Sequence, residues 1–209
     1  MNNLKHTPLS VFLFLSISIS PAMAIEEAKY NVISKDKKIE IRHYTPQIIA
    51  ETIVNGDIEE AGNIAFKRLF GYISGNNITQ STITMTAPVG QQISSEEIAM
   101  TVPVRQEKSK SGWAVNFKMP NSFSIETLPR PSDVRVKLRQ VPSQTIAAIR
   151  YSGFWSQSNY LEHKSKLENW IHRSNYHVGG DAIWARYNAP FTLWFLRRNE
   201  VLIPVVKNN

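Results

Sequence analysis

Residues 39–56 read Ile-Glu-Ile-Arg-His-Tyr-Thr-Pro-Gln-Ile-Ile-Ala-Glu-Thr-Ile-Val-Asn-Gly. Apolar and polar side chains alternate from Ile39 to Tyr44, which is typical of a strand with one buried face. Pro46 separates this run from a second β-rich run, Gln47 to Val54, and Gly56 precedes a helical pattern. This part of the chain predicts a strand, a turn, a second strand and a helix.

The same order of elements recurs in the second half of the chain. An alternating run from Val134 to Arg139 is followed by Pro142, by a second β-rich run and by Gly153. Pro46 and Pro142 are 96 positions apart, and Gly56 and Gly153 are 97 positions apart. This near-constant offset predicts a duplicated unit with two pseudo-symmetric halves.

Each half contains one predicted helix. The first runs from about Asp57 to Ile73, and Asp57 suits an N-cap. Phe66, Phe70 and Ile73 form a second apolar stripe on this helix, which either packs into the core or lines a ligand cleft. The second helix, about Ser156 to Arg173, is more simply amphipathic.

Further β-like segments follow each helix. They are 82–89, 98–105 and 113–119 after the first helix, and 183–187 and 193–204 after the second. Strands joined by short polar loops cannot make parallel crossovers. The predicted class is therefore α+β, with a mostly antiparallel sheet or distorted barrel and two helices packed outside.

The first 24 residues differ from the rest of the chain. Lys5 and His6 precede the apolar run 11–15, and Ala22-Met23-Ala24 provides an A-x-A cleavage site. The apolar run is shorter than the ~20 residues of a membrane-spanning helix. We therefore expect a signal peptide over residues 1–24, one domain over residues 25–209, no stable membrane anchor, and an exported product that is periplasmic or secreted.

The composition excludes several classes of function. The chain contains no cysteine, which excludes disulfides, thiolate catalysis and cysteine-ligated metals. The net charge is +7, but Lys and Arg are scattered, which favours a solvated surface over nucleic-acid binding. G-x-S-x-G, a phosphate-binding glycine loop and dense metal motifs are absent from the sequence. It therefore predicts a binding protein and not an enzyme.

Four stretches resemble the SOUL haem-binding family. They are Ile39 to Tyr44, Leu69 to Asn77, Ile83 to Val89, and Arg197 to Val201. The Met-Thr-x-Pro-Val motif occurs twice, from Met85 and from Met100, and each proline is expected to break or bend a strand. Together with the expected signal peptide, these stretches make the chain look like an exported bacterial-type member of that family. The resemblance covers roughly residues 28–205.

The family resemblance implies both a fold and a ligand. The implied fold is a distorted antiparallel β-barrel made of two pseudo-symmetric β-β-α-β-type halves with two flanking helices. The implied ligand is haem, or a porphyrin, held non-covalently in a shallow hydrophobic cleft beside a helix. His43 is the candidate axial ligand of the haem iron, because some relatives have a histidine here. A histidine on the face of Ile39 and Ile41 can equally be a packing residue.

The first helix provides the other candidate contacts. Phe66, Phe70 and Ile73 would contact the macrocycle, Asn63 would lie at the rim, and Lys67 and Arg68 would pair with the propionates. The predicted function is sequestration or carriage of haem or a related tetrapyrrole. The alternatives are an exported binder of another hydrophobic small molecule, a protein interaction module, and a hydrolase on a related fold.

Overall fold

The computed structural model describes residues 25–80 and 94–208. Within these ranges the chain forms two α-helices, α1 (Ile58–Ile73) and α2 (Gln157–Ile171), and a short 3₁₀ helix (Trp194–Leu196). The strands are β1 (Glu26–Glu27), β2 (Tyr30–Asp36), β3 (Ile39–Tyr44), β4 (Gln47–Val54), β5 (Asn77–Ile78), β6 (Thr101–Val102), β7 (Val104–Ser109), β8 (Gly112–Lys118), β9 (Arg130–Pro131), β10 (Lys137–Val141), β11 (Gln144–Tyr151), β12 (Tyr176–Val178), β13 (Ile183–Arg186) and β14 (Asn199–Lys207).

One antiparallel sheet dominates the fold. Its strands follow the order β10-β4-β8-β7-β13-β14-β11-β3-β2, and β12 pairs with the C-terminal end of β14. Helix α1 packs against β4 and β8, whereas α2 packs against β11, β12 and β14. This arrangement confirms the predicted α+β class. Within the described ranges no pairing joins the edge strands β10 and β2, so closure into a barrel stays a prediction.

A constant shift along the sequence relates the two halves of the sheet. Ile41 on β3 pairs with Ala147 on β11. Lys137 on β10 lies 96 positions after Ile41, and Glu51 on β4 lies 96 positions before Ala147. These two residues also pair with each other. Each half thus pairs its first strand with the second strand of the other half, and the pairing of β7 with β13 joins them at the centre. Residues 96 positions apart therefore occupy equivalent places in these two strand pairs.

The two helices begin in the same way. Asp57 Oδ1 accepts hydrogen bonds from the backbone N–H groups of Glu59 and Glu60, both at 2.9 Å, and Ser156 caps α2. Gly56 and Gly153 precede these caps with φ angles of 118° and 127°, a backbone region in which other residues are strained. The two glycines that marked the repeat in the sequence therefore both adopt a positive φ shortly before a helix, Gly56 one residue before its cap and Gly153 three residues before its cap.

Buried apolar side chains form three clusters. One lies between α1 and its half of the sheet, and a second lies between α2 and the other half. The third covers the opposite face of β3, β11, β13 and β14 and includes Ala28 from the N-terminal segment. The central strands of the second half are therefore buried on both faces.

Two segments differ from the sequence-based prediction. Residues 134–136 precede β10 as a turn, because the side chain of Asp133 accepts a hydrogen bond from the backbone N–H of Arg135. Residues 193–198 are not a strand either, because Arg197 Nε donates to the carbonyl of Thr192 and holds the chain in a turn. The expected strand over 82–89, with the first Met-Thr-x-Pro-Val copy, lies outside the described residues. In the second copy Pro103 separates β6 from β7, as predicted.

Candidate functional site

Helix α1 carries the second apolar stripe that the sequence indicated. The ring of Phe66 is partly buried and meets Phe117 edge-on, with ring centroids 5.5 Å apart. Phe70 stacks on Phe66 at 5.9 Å and is 47% exposed. An apolar surface therefore runs outward along α1 from Phe66 to Phe70.

A pocket of about 180 Å³ opens beside α1 at Phe66. Its walls come from α1, from residues 100–104 at β6 and β7, from Trp155 just before the cap of α2, and from residues 186–190 at the end of β13 and after it. The lining side chains are mainly apolar and include Met100, Val102, Val104, Trp155, Tyr187 and Pro190. Small-molecule pockets usually measure about 300–1,000 Å³, so a large flat ligand would be only partly enclosed here.

Arg186 is the charged residue among the pocket's lining residues. Its Nη2 donates a hydrogen bond to Gln106 Oε1 at 3.1 Å. The guanidinium lies over the ring of Trp184 at 5.0 Å and over the ring of Trp155 at 5.6 Å. In residues 25–80 and 94–208 no carboxylate forms a salt bridge with Arg186.

Burial also changes the pKa of the Arg186 guanidinium. Burial lowers the pKa of Arg186 to about 10, because an apolar environment disfavours the charged form. Gly62 lets α1 approach closely, since a Cβ at this position would lie 2.9 Å from Gln106 Oε1 and 3.1 Å from Arg186 Nη2. At neutral pH the pocket therefore contains a positive charge packed between aromatic rings and a helix backbone.

A second polar centre, the Glu200 cluster, consists of Arg42, Tyr187, Arg198 and Glu200. Glu200 is completely buried on β14. Arg42 donates to both of its carboxylate oxygens, at 2.7 and 3.1 Å, and the Tyr187 hydroxyl donates at 2.7 Å. Arg198 Nε donates to the same carboxylate at 3.1 Å. The carboxylate is thus fully compensated by charge and by hydrogen bonds.

The acidity of Glu200 reflects this compensation. Burial alone would raise the pKa of Glu200, but the hydrogen bonds and charge of Arg42, with Arg198 and Tyr187, outweigh burial and lower it. The cluster also joins two of the stretches that carried the family resemblance, residues 39–44 and 197–201. It has the geometry of a structural element, because its charges are compensated within the fold.

The structure separates the predicted site residues into three groups. Asn63 and Phe66 line the pocket, and Phe70 extends it. Lys67 is exposed on α1 and is not among the lining residues. His43 is exposed on β3, four strands away from β7 in the sheet order, and does not line the pocket.

Two expected ligand contacts have structural partners instead. Ile73 is 4% exposed and belongs to the core between α1 and the sheet. It follows Phe70 by about one helical turn, and at this position the side of α1 that carries Phe66 and Phe70 faces the core. Arg68 Nη1 donates to Thr52 Oγ1 at 2.6 Å, and its Nε lies 3.7 Å from Asp133 Oδ2. These two residues face the sheet and its loops rather than the pocket.

Sequence reasoning missed Arg186, Trp155 and Met100. A signal for Arg186 existed, because strand alternation in β13 places it on the face of the buried Trp184. A charged residue on a buried strand face indicates either an ion pair or a site. Among the described residues, no group of three or more acidic or histidine side chains could hold a metal ion, and no helix is long and apolar enough to cross a membrane.

Two solved structures have a similar fold at 12% sequence identity. The C-terminal domain of EcmrR superposes with a TM-score of 0.54 and covers 85% of this chain and 98% of that domain. A hydrolase from Listeria innocua superposes with a TM-score of 0.51 and covers 83% and 94% of the two chains. At this identity the likeness concerns the fold alone.

Sequence comparison is more specific. Heme-binding protein 2 of Mus musculus is 29% identical over 179 residues, which is 81% of this chain and 81% of that protein. Heme-binding protein 2 of Homo sapiens is 26% identical over 171 residues, 77% of this chain and 78% of that protein. The model of the family described as SOUL heme-binding protein matches residues 25–204. This chain therefore belongs to the SOUL haem-binding family.

Proposed function

We propose that the protein binds haem or a related tetrapyrrole non-covalently at the pocket beside α1. The observation that carries this proposal is the continuous apolar surface from Phe66 inside the pocket to the exposed Phe70. A flat macrocycle could insert one edge into a cavity of about 180 Å³ and rest a face on the two phenylalanine rings. Membership of a haem-binding family supports the same class of ligand.

The proposed binding mode holds the ring by packing, without iron ligation by His43. The side chain of this histidine is exposed, although it shares its strand face with the buried Ile41, and it is not part of the pocket lining. We further propose that the protein is not an enzyme and that it sequesters or carries its ligand after export. Export follows from the signal-peptide pattern of residues 1–24.

A titration of residues 25–209 with hemin and with metal-free protoporphyrin tests this function, followed by Soret absorbance and tryptophan fluorescence. We expect saturable binding of both compounds, because packing does not need iron. Phe66→Ala should weaken both by about ten- to 150-fold, the effect of losing ~1.5–3 kcal/mol of buried phenylalanine. Ile64→Ala is the matched control, since Ile64 is a 41% exposed residue of α1 that does not line the pocket.

His43→Ala separates the two binding modes. With packing alone, the Soret band and the affinity for hemin stay unchanged. A shifted Soret band would restore His43 as the axial ligand. Failure of both hemin and protoporphyrin to bind at micromolar concentrations would contradict the proposed function and favour another hydrophobic ligand or a protein partner.

A further inference from the structure

We propose that Arg186 is an anion-binding residue and that the pocket beside α1 accepts the carboxylate of an apolar ligand. The inference rests on the proposed use of this pocket as a ligand site. It names the chemical group that enters the pocket and the residue that binds it. It does not require the ligand to be a tetrapyrrole.

The first argument is charge compensation. A buried or partly buried charge normally has a partner of opposite sign, because the loss of hydration is otherwise uncompensated. Arg42, Arg68 and Arg198 follow this rule, each with a carboxylate within 4.0 Å. Arg105 on β7 is also buried without a carboxylate among the described residues, but it is not among the residues that line the pocket. Arg186 has none among the described residues, although it lines a cavity. An anionic ligand would provide the missing partner.

The second argument is the orientation of the guanidinium. A guanidinium has five N–H donors, and the described residues accept one hydrogen bond from it, at Gln106. The rings of Trp155 and Trp184 and the backbone at Gly62 restrict the position of the group before any ligand arrives. Donors fixed in this way lose little conformational entropy on binding.

The third argument concerns which anion fits. The guanidinium fork matches a carboxylate or a phosphate in geometry. The pocket offers one cation within mainly apolar walls, with the amides of Asn63 and Asn188 nearby. A phosphate monoester carries about −1.5 to −2 charges at neutral pH and would remain partly uncompensated here. A singly charged carboxylate on an apolar body suits this pocket better.

Such a carboxylate has two sources, a propionate of a tetrapyrrole or a separate fatty or aryl acid. The test compares decanoate with decan-1-ol, and protoporphyrin with its dimethyl ester, on the full chain, because a chain starting at Ile25 would place an α-amino group among the lining residues. Tryptophan fluorescence follows binding, because Trp155 lines the pocket. Arg186→Met removes the cation, and Arg186→Lys retains a charge without the fork. Lys110→Met is the matched control for net charge, since Lys110 is exposed in the turn between β7 and β8, outside the pocket.

We expect at least one of the two acids to bind at least about tenfold more tightly than its neutral analogue, the scale of a hydrogen bond to a charged group. Arg186→Met should abolish this preference, Arg186→Lys should retain part of it, and Lys110→Met should leave it unchanged. A preference seen with protoporphyrin identifies a propionate as the source. A preference seen with decanoate alone identifies a separate acid.

The outcomes separate this inference from the proposed function. Arg186-dependent decanoate binding without porphyrin binding would support the anion site and contradict the tetrapyrrole proposal. Equal binding of protoporphyrin and its ester, with no decanoate binding, would overturn the anion site and leave the tetrapyrrole proposal standing. A preference for the acids that persists unchanged in Arg186→Met, with a normal unfolding curve, would also overturn it.

Discussion

The Glu200 cluster and the Arg186 pocket both place a guanidinium out of bulk water, but among the described residues only the first supplies a carboxylate. Arg42 makes two hydrogen bonds to Glu200, and burial of both partners is nearly complete. Arg186 makes one hydrogen bond to a neutral amide and otherwise faces aromatic rings and a cavity. The two sites lie close together, since Tyr187, which follows Arg186, donates to Glu200.

The difference distinguishes a charge that holds the fold together from a charge that is available to a ligand. Removing one partner of a buried pair leaves the other charge uncompensated, which is strongly destabilising. Removing a charge that already lacks a partner relieves a desolvation cost instead. The following substitutions test this distinction, in decreasing order of their expected effect on stability.

Glu200→Ala should have the largest effect. It leaves Arg42 and Arg198 without their shared carboxylate, so we expect the free energy of unfolding to fall by about 3–5 kcal/mol. Urea denaturation followed by tryptophan fluorescence measures this change. Lys166→Ala, which breaks an exposed ion pair with Glu162 on α2, should change stability by less than about 0.5 kcal/mol. Equal effects of the two substitutions would refute a structural role for the cluster.

The same cluster should make stability depend on pH. The folded pKa of Glu200 is lowered from its ordinary value of 4.5. Its contribution to stability is therefore fully present above about pH 4.5 and is lost as the pH falls through the folded pKa. We expect the difference in unfolding free energy between wild type and Glu200→Gln to narrow in acid below this pH. A difference that stays constant down to pH 3 would show that Glu200 does not titrate with folding.

Two glycines of α1 provide an internal comparison near Arg186. At Gly71 a Cβ would meet nothing within 4 Å, so Gly71→Ala should stabilise the protein by about 0.5–1 kcal/mol through helix propensity. At Gly62 the Cβ would crowd Gln106 and Arg186, so Gly62→Ala should instead destabilise by about 1 kcal/mol. Thermal unfolding of both variants measures the contrast. Similar stabilisation by both would mean that the guanidinium is free to move aside.

Arg186→Met should change stability much less than Glu200→Ala does. Loss of an uncompensated charge is favourable, while Gln106 Oε1 loses its donor, a penalty of about 1–3 kcal/mol. We expect these effects to leave the unfolding free energy within about 1 kcal/mol of wild type in chemical denaturation. A loss as large as that of Glu200→Ala would remove the distinction between the two sites.

The sequence by itself determined the local elements, the repeat and the family. Alternation from Ile39 to Tyr44, the Asp57 cap and the glycines at positions 56 and 153 act over a few residues, so they predicted β3, α1 and the turns that precede both helices. The offset of 96 positions predicted a duplicated unit, and the structure places residues 96 positions apart at equivalent places in the strand pairing. Asn63, Phe66 and Phe70 were predicted at the site because helical periodicity places them on one side of α1.

Only the tertiary structure decided which charges have partners and which apolar residues remain accessible. Arg42 meets Glu200 across 158 positions, and Arg186 meets Gln106 across 80 positions, distances over which no local pattern carries information. Periodicity could not distinguish the buried Ile73 from the exposed Phe70, because burial depends on which side of α1 packs against β4 and β8. The pocket is formed by segments that are distant along the chain, so its walls exist only once β7 and β13 have paired.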